Sequence, residues 1–173
     1  SVRSLVIFAT VGGVNGSLGG LPGADAFCQA QAGLAGLNGD VYRALLSTDD
    51  EPASSRVSQQ YGFMDVEGAL LATSFNDLFD GSIDSPVLLW NGSGPLLGAH
   101  TGTQAGGTKS GVNCEGWTAD CALCFDTIAV PGSVSSAWIE GPSDSFCDEM
   151  RPILCVEDID DCISNPCLNG ATC

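Results

Sequence analysis

Positive charge is scarce in this chain: five Lys and Arg stand against 21 Asp and Glu over 173 residues, for a net charge of −16. Such a surface repels phosphate and sulfate polymers, so nucleic acid and heparin are not expected as partners. Histidine is scarcer still, with His100 alone. One imidazole in a Gly/Thr-rich loop, with no Cys or carboxylate cluster beside it, does not build a zinc site, and no zinc is expected. No apolar run reaches the roughly 20 residues of a membrane-spanning helix. No basic and apolar leader opens the chain, so a soluble protein is expected, either mature or cut from something longer. No Gly-x-Ser-x-Gly elbow or similar signature joins a nucleophile to His100. The paired carboxylates, Asp49 with Asp50, Asp148 with Glu149 and Asp158 with Asp160, fall in expected loops or linkers, where solvated charge explains them. No catalytic residue is assigned, and the chain is read as not an enzyme. A repeat with a period of about 20 to 50 residues is also missing.

Cysteine and glycine are what the chain has instead, nine and 23 of them. Nine cysteines with a single histidine fit an oxidising compartment, so the protein is read as extracellular. The length suits one ordinary domain plus an appendage. The apolar, β-branched run 5–9 predicts a buried strand, and Pro22 and Gly23 introduce a helix over 24–32 with Asp25 in its first turn. Strands are expected at 41–47, 87–90 and 153–156. A short helix capped by Ser74, with Asp77 placed to answer, should end before Gly81. Residues 97–112 and 131–136 read as irregular loops. After Glu157 the composition changes to acidic residues and closely spaced cysteines without a core-forming run, which places a boundary between 1–157 and 158–173.

Two stretches resemble known families. Gly16-Ser17-Leu18-Gly19-Gly20-Leu21-Pro22-Gly23-Ala24-Asp25-Ala26-Phe27-Cys28-Gln29, then Val41-Tyr42-Arg43-Ala44-Leu45-Leu46-Ser47, resembles the opening of endostatin and endostatin-like domains. Cys114-Glu115-Gly116-Trp117-Thr118 and Cys147 followed by Arg151-Pro152-Ile153-Leu154-Cys155-Val156-Glu157 continue that pattern in order. The resemblance implies an α+β, C-type-lectin-like fold: a twisted antiparallel sheet, two helices and long loops, braced by disulfides. It also implies the pairs Cys28 with Cys155 and Cys114 with Cys147. The run Asp158-Ile159-Asp160-Asp161-Cys162-Ile163-Ser164-Asn165-Pro166-Cys167 through Cys173 resembles the first half of a calcium-binding EGF-like module. That likeness implies a Cys162–Cys173 pair, leaves Cys167 without its partner, and assigns Asp158, Ile159 and Asp161 to a partial calcium site. The alternative for these acids is a solvated linker.

Cys121 and Cys124 have no counterpart in collagen endostatins, and their spacing suggests a local bridge ahead of Phe125 rather than a redox pair. Neither a Glu-Pro-Asn or Gln-Pro-Asp loop nor a Trp-Asn-Asp strand is present, since Glu51-Pro52-Ala53 and Trp90-Asn91-Gly92 fall short, so calcium-dependent sugar binding is unsupported. The zinc and heparin sites of collagen endostatins have no matching residues here. Asn15 and Asn91 open glycosylation sequons in expected turns, and serve either as acceptors or as ordinary turn residues according to the source. Trp117 and Trp138 read as core or disulfide-packing residues. The functional expectation is a noncatalytic extracellular module of a multidomain protein, acting in adhesion, matrix or filament assembly through contacts with other proteins or copies of itself. The alternative is a lectin-like receptor whose loops at 97–112 and 131–136 bind a neutral glycan or small ligand.

Overall fold

The computed structural model describes residues 3–37, 41–94 and 98–159. It is a mixed α+β fold built on two sheets. The larger sheet has β1 (Ser4–Ala9) at its centre, antiparallel to β8 (Leu154–Asp158) on one side and parallel to β3 (Gly62–Met64) on the other. β2 (Val41–Ala44) and β4 (Leu70–Ala72) are its edges. A second, three-stranded sheet runs β5 (Ala99–His100), β6 (Phe125–Ala129), β7 (Asp144–Phe146).

The continuous apolar run of β1 follows from its central place, because alternate side chains leave opposite faces of a strand and here both faces are covered. Leu5, Ile7 and Ala9 join a core with Leu78, Trp138, Ile139, Leu154 and Val156. Val6 and Phe8 join another with Leu21, Ala24, Cys28, Trp117 and Cys155. The helix α1 (Gly20–Leu34) covers the second face. It begins four residues before the expected start, and Pro22 is tolerated because it lies in the first turn, where its missing N–H would have no intrahelical partner. Glycine is needed at 23, since a Cβ there would run into the Leu18 carbonyl oxygen.

Several expectations are corrected. Asp25 lies in the sixth position of α1 and serves contacts rather than the dipole, accepting from Ala44 N at 2.8 Å and pairing with Arg56. Strand 41–47 stops at Ala44, because Ser47 N turns to Thr101 O instead of continuing the ladder. Residues 87–90 make only a parallel bridge from Leu89 to Ala9. Val87 is buried, but Leu88, Leu89 and Trp90 are half-buried, so the segment lies across a strand end without forming a strand. The helix α2 (Phe75–Leu78) is capped by Ser74, whose Oγ accepts from Asp77 N; the Asp77 carboxylate turns instead to Thr73 N and Oγ, which hold its pKa below the usual value. The expected loop at 97–112 contains β5. The closing strand expected at 153–156 is β8, which starts at Leu154 and runs on to Asp158.

Candidate functional site

The residues with chemistry converge where the second sheet meets the end of β1. At their centre lies α3 (Cys114–Trp117), a single turn wound left-handed, with φ of 51° at Cys114, 54° at Glu115, 70° at Gly116 and 67° at Trp117. Only Gly116 tolerates this without cost; each of the other three is strained by roughly 1–2 kcal/mol. The surroundings hold them there. Asn113 Oδ1 accepts from Gly116 N at 2.9 Å, Trp117 is fully buried with its Nε1 donating to Ser47 O at 2.8 Å, and Cys114 is bonded to Cys147.

His100 is a correction. It is no loop residue: β5 carries it into the interior, where its ring meets Trp117 edge-on with centroids 6.0 Å apart and no part of it reaches solvent. Its Nε2 lies 3.1 Å from both Val14 O and Glu149 O. Two carbonyls only accept, so Nε2 carries a proton. Nδ1 is 3.0 Å from Oδ1 of Asp126, which is equally buried. A proton must therefore lie between Nδ1 and Oδ1, on either atom. Asp126 Oδ2 has no hydrogen-bond partner among the described residues. Burial pushes the Asp126 carboxyl above its ordinary pKa, opposed mainly by the hydrogen bond and charge of His100, then more weakly by the Thr101 amide and Arg151. The Thr101 N–H is engaged by Thr127 O at 3.1 Å, so its pull on Asp126 is slight.

Asp126→Asn should therefore match or exceed the stability of the wild type at neutral pH, because the amide can donate to Nδ1 of a neutral imidazole. Asp126→Ala should lose about 2 kcal/mol by leaving that nitrogen bare. The sign with pH follows from proton uptake: with a raised folded pKa, the native state holds more protons than the unfolded one. The contribution of Asp126 to stability thus falls as pH rises from about 3.9, the unfolded value, towards the folded one. Urea unfolding of the wild type and both variants at pH 7 checks that order of stabilities.

Sulfur and carboxylate ligand atoms of Cys114, Cys147 and Asp126 lie within 4.8 Å of one another. Metals take thiolates, and these sulfurs are bonded to each other, so the trio holds no ion while the bridge persists. Calcium in any case requires oxygen ligands. At the expected calcium junction, the Asp158 carboxylate accepts from Arg43 Nε at 2.8 Å and Ile159 packs on the core; Asp161 lies outside the described residues. Cys162, Cys167 and Cys173 also lie outside them. Cys28 is bonded to Cys155 and Cys121 to Cys124. The sequon residues Asn15 and Asn91 each accept a hydrogen bond two residues on, from Ser17 N at 3.1 Å and Ser93 N at 3.0 Å. Asn91 is exposed and Asn15 half-buried. Asp49, Asp50 and Asp148 are exposed, while Glu149 is held below its ordinary pKa by Ser145 and Arg151.

Outside this sealed centre, α3 forms one wall of an open cleft of about 290 Å³, with Asp49, Asn113, Glu115, Leu123 and Phe125 among its lining. The sequence reading missed both the His100–Asp126 pair and this face. The signal for the first was Asp126 itself, a lone carboxylate in the otherwise uncharged run Phe125-Asp126-Thr127-Ile128-Ala129-Val130. No family model matches the chain, and no curated protein is similar to it in sequence.

Proposed function

We propose that the described residues form an endostatin-like domain of C-type-lectin-like fold leading into an EGF-like module, and that the chain is a noncatalytic extracellular interaction module. The observation that carries this reading is that the chemistry is locked inside: His100 and Asp126 are both without solvent exposure, behind the Cys114–Cys147 bridge. A general base must reach a substrate proton, and this one reaches two main-chain carbonyls. Disulfide bracing supports an extracellular setting, and among the described residues no helix is long and apolar enough to cross a membrane. The order of motifs shared with endostatin-like domains supports the fold. The second reading, a receptor for a neutral glycan or small ligand, draws on the cleft beside the end of the 97–112 segment. The side-chain amide in that cleft is occupied, however, since Asn113 Nδ2 donates to Asp49 Oδ1 at 3.1 Å and its Oδ1 accepts from Gly116 N.

The test is cross-linking mass spectrometry on the protein in its own extracellular material, using a carboxylate-reactive linker because Lys109 is the only lysine. Links to other protein chains, or between copies, are expected. Retention on a neutral-glycan array with no protein links would overturn the reading in favour of the receptor.

A further inference from the structure

Phe125 on β6 and Phe146 on β7 are register partners whose rings stand 4.9 Å apart, and both are 41% exposed. Leu123, in the loop closed by the Cys121–Cys124 bridge, is 86% exposed, and Met150, just past the turn in which Glu149 N donates to Phe146 O, is 67% exposed. Single exposed apolar residues are ordinary, but two exposed aromatic rings in contact, with exposed aliphatic residues close by in sequence, are not. Acidic residues edge this face. Asp144 shares the outward side of β7 with Phe146, Asp148 follows two residues later, Asp120 precedes the bridged loop, and Glu115 lines the adjoining cleft.

Among the described residues no cation forms an ion pair with these acids. Arg3 pairs with Glu157, Arg43 with Asp158, Arg56 with Asp25 and Glu51, and Arg151 with Glu149, while Lys109 Nζ donates to Asp49 O at 2.6 Å. That accounts for all five basic residues of the chain.

Resting on the reading of the chain as a protein-contact module, we infer that this face docks a basic protein segment with an aromatic or aliphatic anchor flanked by Lys or Arg. The anchor covers the Phe125–Phe146 pair at the dry centre, and the cations meet the acidic rim, an arrangement in which apolar contact supplies most affinity and charge supplies steering and choice of partner. A second copy of this chain is the wrong occupant, because it would bring the same sign of charge to its own rim.

The probes are three synthetic nonapeptides: one with a central Leu-Trp-Leu flanked by Lys and Arg, the same with Glu in place of the cations, and oligolysine without the apolar centre. Binding to the full chain is read by isotope-edited NMR shifts and calorimetry. The first peptide should bind and shift residues around 123–125 and 144–150, at least about tenfold more tightly than either other. Phe125→Ser with Phe146→Ser should weaken it about tenfold, as should Leu123→Ser, which removes an apolar side chain too exposed to affect folding without altering the charge. Glu115→Gln with Asp144→Asn and Asp148→Asn should weaken it comparably, while the equal charge change Glu67→Gln, Asp80→Asn and Asp84→Asn, on exposed sites away from these strands, should not. Indifference to the apolar substitutions, or equal loss from both sets of acidic ones, would overturn the proposal by reducing binding to bulk charge. If cross-links join protein chains through another face, this proposal fails and the interaction-module reading stands. If instead a neutral oligosaccharide such as maltoheptaose shifts these residues and no protein cross-links are found, both fail.

Discussion

Replacing Cys28 and Cys155 together by alanine should lower the unfolding free energy by about 4 to 5 kcal/mol, a large share of the roughly 5 to 15 kcal/mol that stabilises an ordinary domain. The bridge spans 127 positions, so breaking it releases nearly the whole unfolded chain, which then has more conformational freedom to lose on folding. It also joins α1 to β8 inside one apolar core, where Cys28 and Cys155 are both fully buried. Removing Cys121 and Cys124 offers the contrast. Their separation is only 3, both lie near the surface, and their loss should cost far less. Guanidinium unfolding of the two double variants measures the difference, and equal losses would place the effect in the native state instead.

Arg56→Met should cost about 3 to 4 kcal/mol. The 3₁₀ turn Ala53–Arg56 delivers this side chain into the interior with 4% exposure. There its Nε donates to Ala44 O at 3.0 Å, Nη1 to Glu51 at 2.8 Å and Nη2 to Asp25. One guanidinium thus joins α1, the end of β2 and the turn itself. Methionine fills the volume yet leaves the Ala44 carbonyl without its donor and the Asp25 carboxylate with Ala44 N alone and no opposing charge. Arg56→Lys should recover only part of the loss, since a point charge cannot serve three directions at once. Asp25→Asn should cost less, because Asp25 is 31% exposed and water can replace what is lost. Urea unfolding of the three variants checks that order.

Both effects involve residues whose importance was unequally visible in the sequence. The central strand β1 was legible because a strand covered on both faces must be apolar throughout, and 5–9 is such a run. The helix was legible from Ala24, Cys28 and their neighbours, though its glycine-rich first turn was not. Strands β3, β4, β5 and β7 are two or three residues long, too short for a period-2 pattern to register. β6 is longer, but Asp126 and Thr127 break its apolar run, and Asp126 is the partner of His100. Nor could the turn of α3 be read from its residues. Cys, Glu and Trp are poor occupants of the left-handed region, and the Asn113 cap is joined in keeping them there by the distant Cys147 and Ser47, which no local pattern announces. The burial of Arg56 was hidden in the same way, since Asp25 and Glu51 are remote from each other in sequence and meet only through the fold.

The Cys114–Cys147 bridge decides between a sealed scaffold and a reactive centre. Bonded, the two sulfurs fix the left-handed turn and keep His100 and Asp126 behind it; as free thiols, with Asp126 within 4.8 Å, they would become a set of metal ligands at the heart of the domain. Nonreducing peptide mapping of the protein taken from its natural source, with free thiols alkylated at the first step, separates the two. Recovery of Cys114 linked to Cys147, with Cys28 linked to Cys155 and Cys121 to Cys124, is the expected result. Alkylated Cys114 and Cys147 in most molecules would contradict the sealed, noncatalytic, extracellular module.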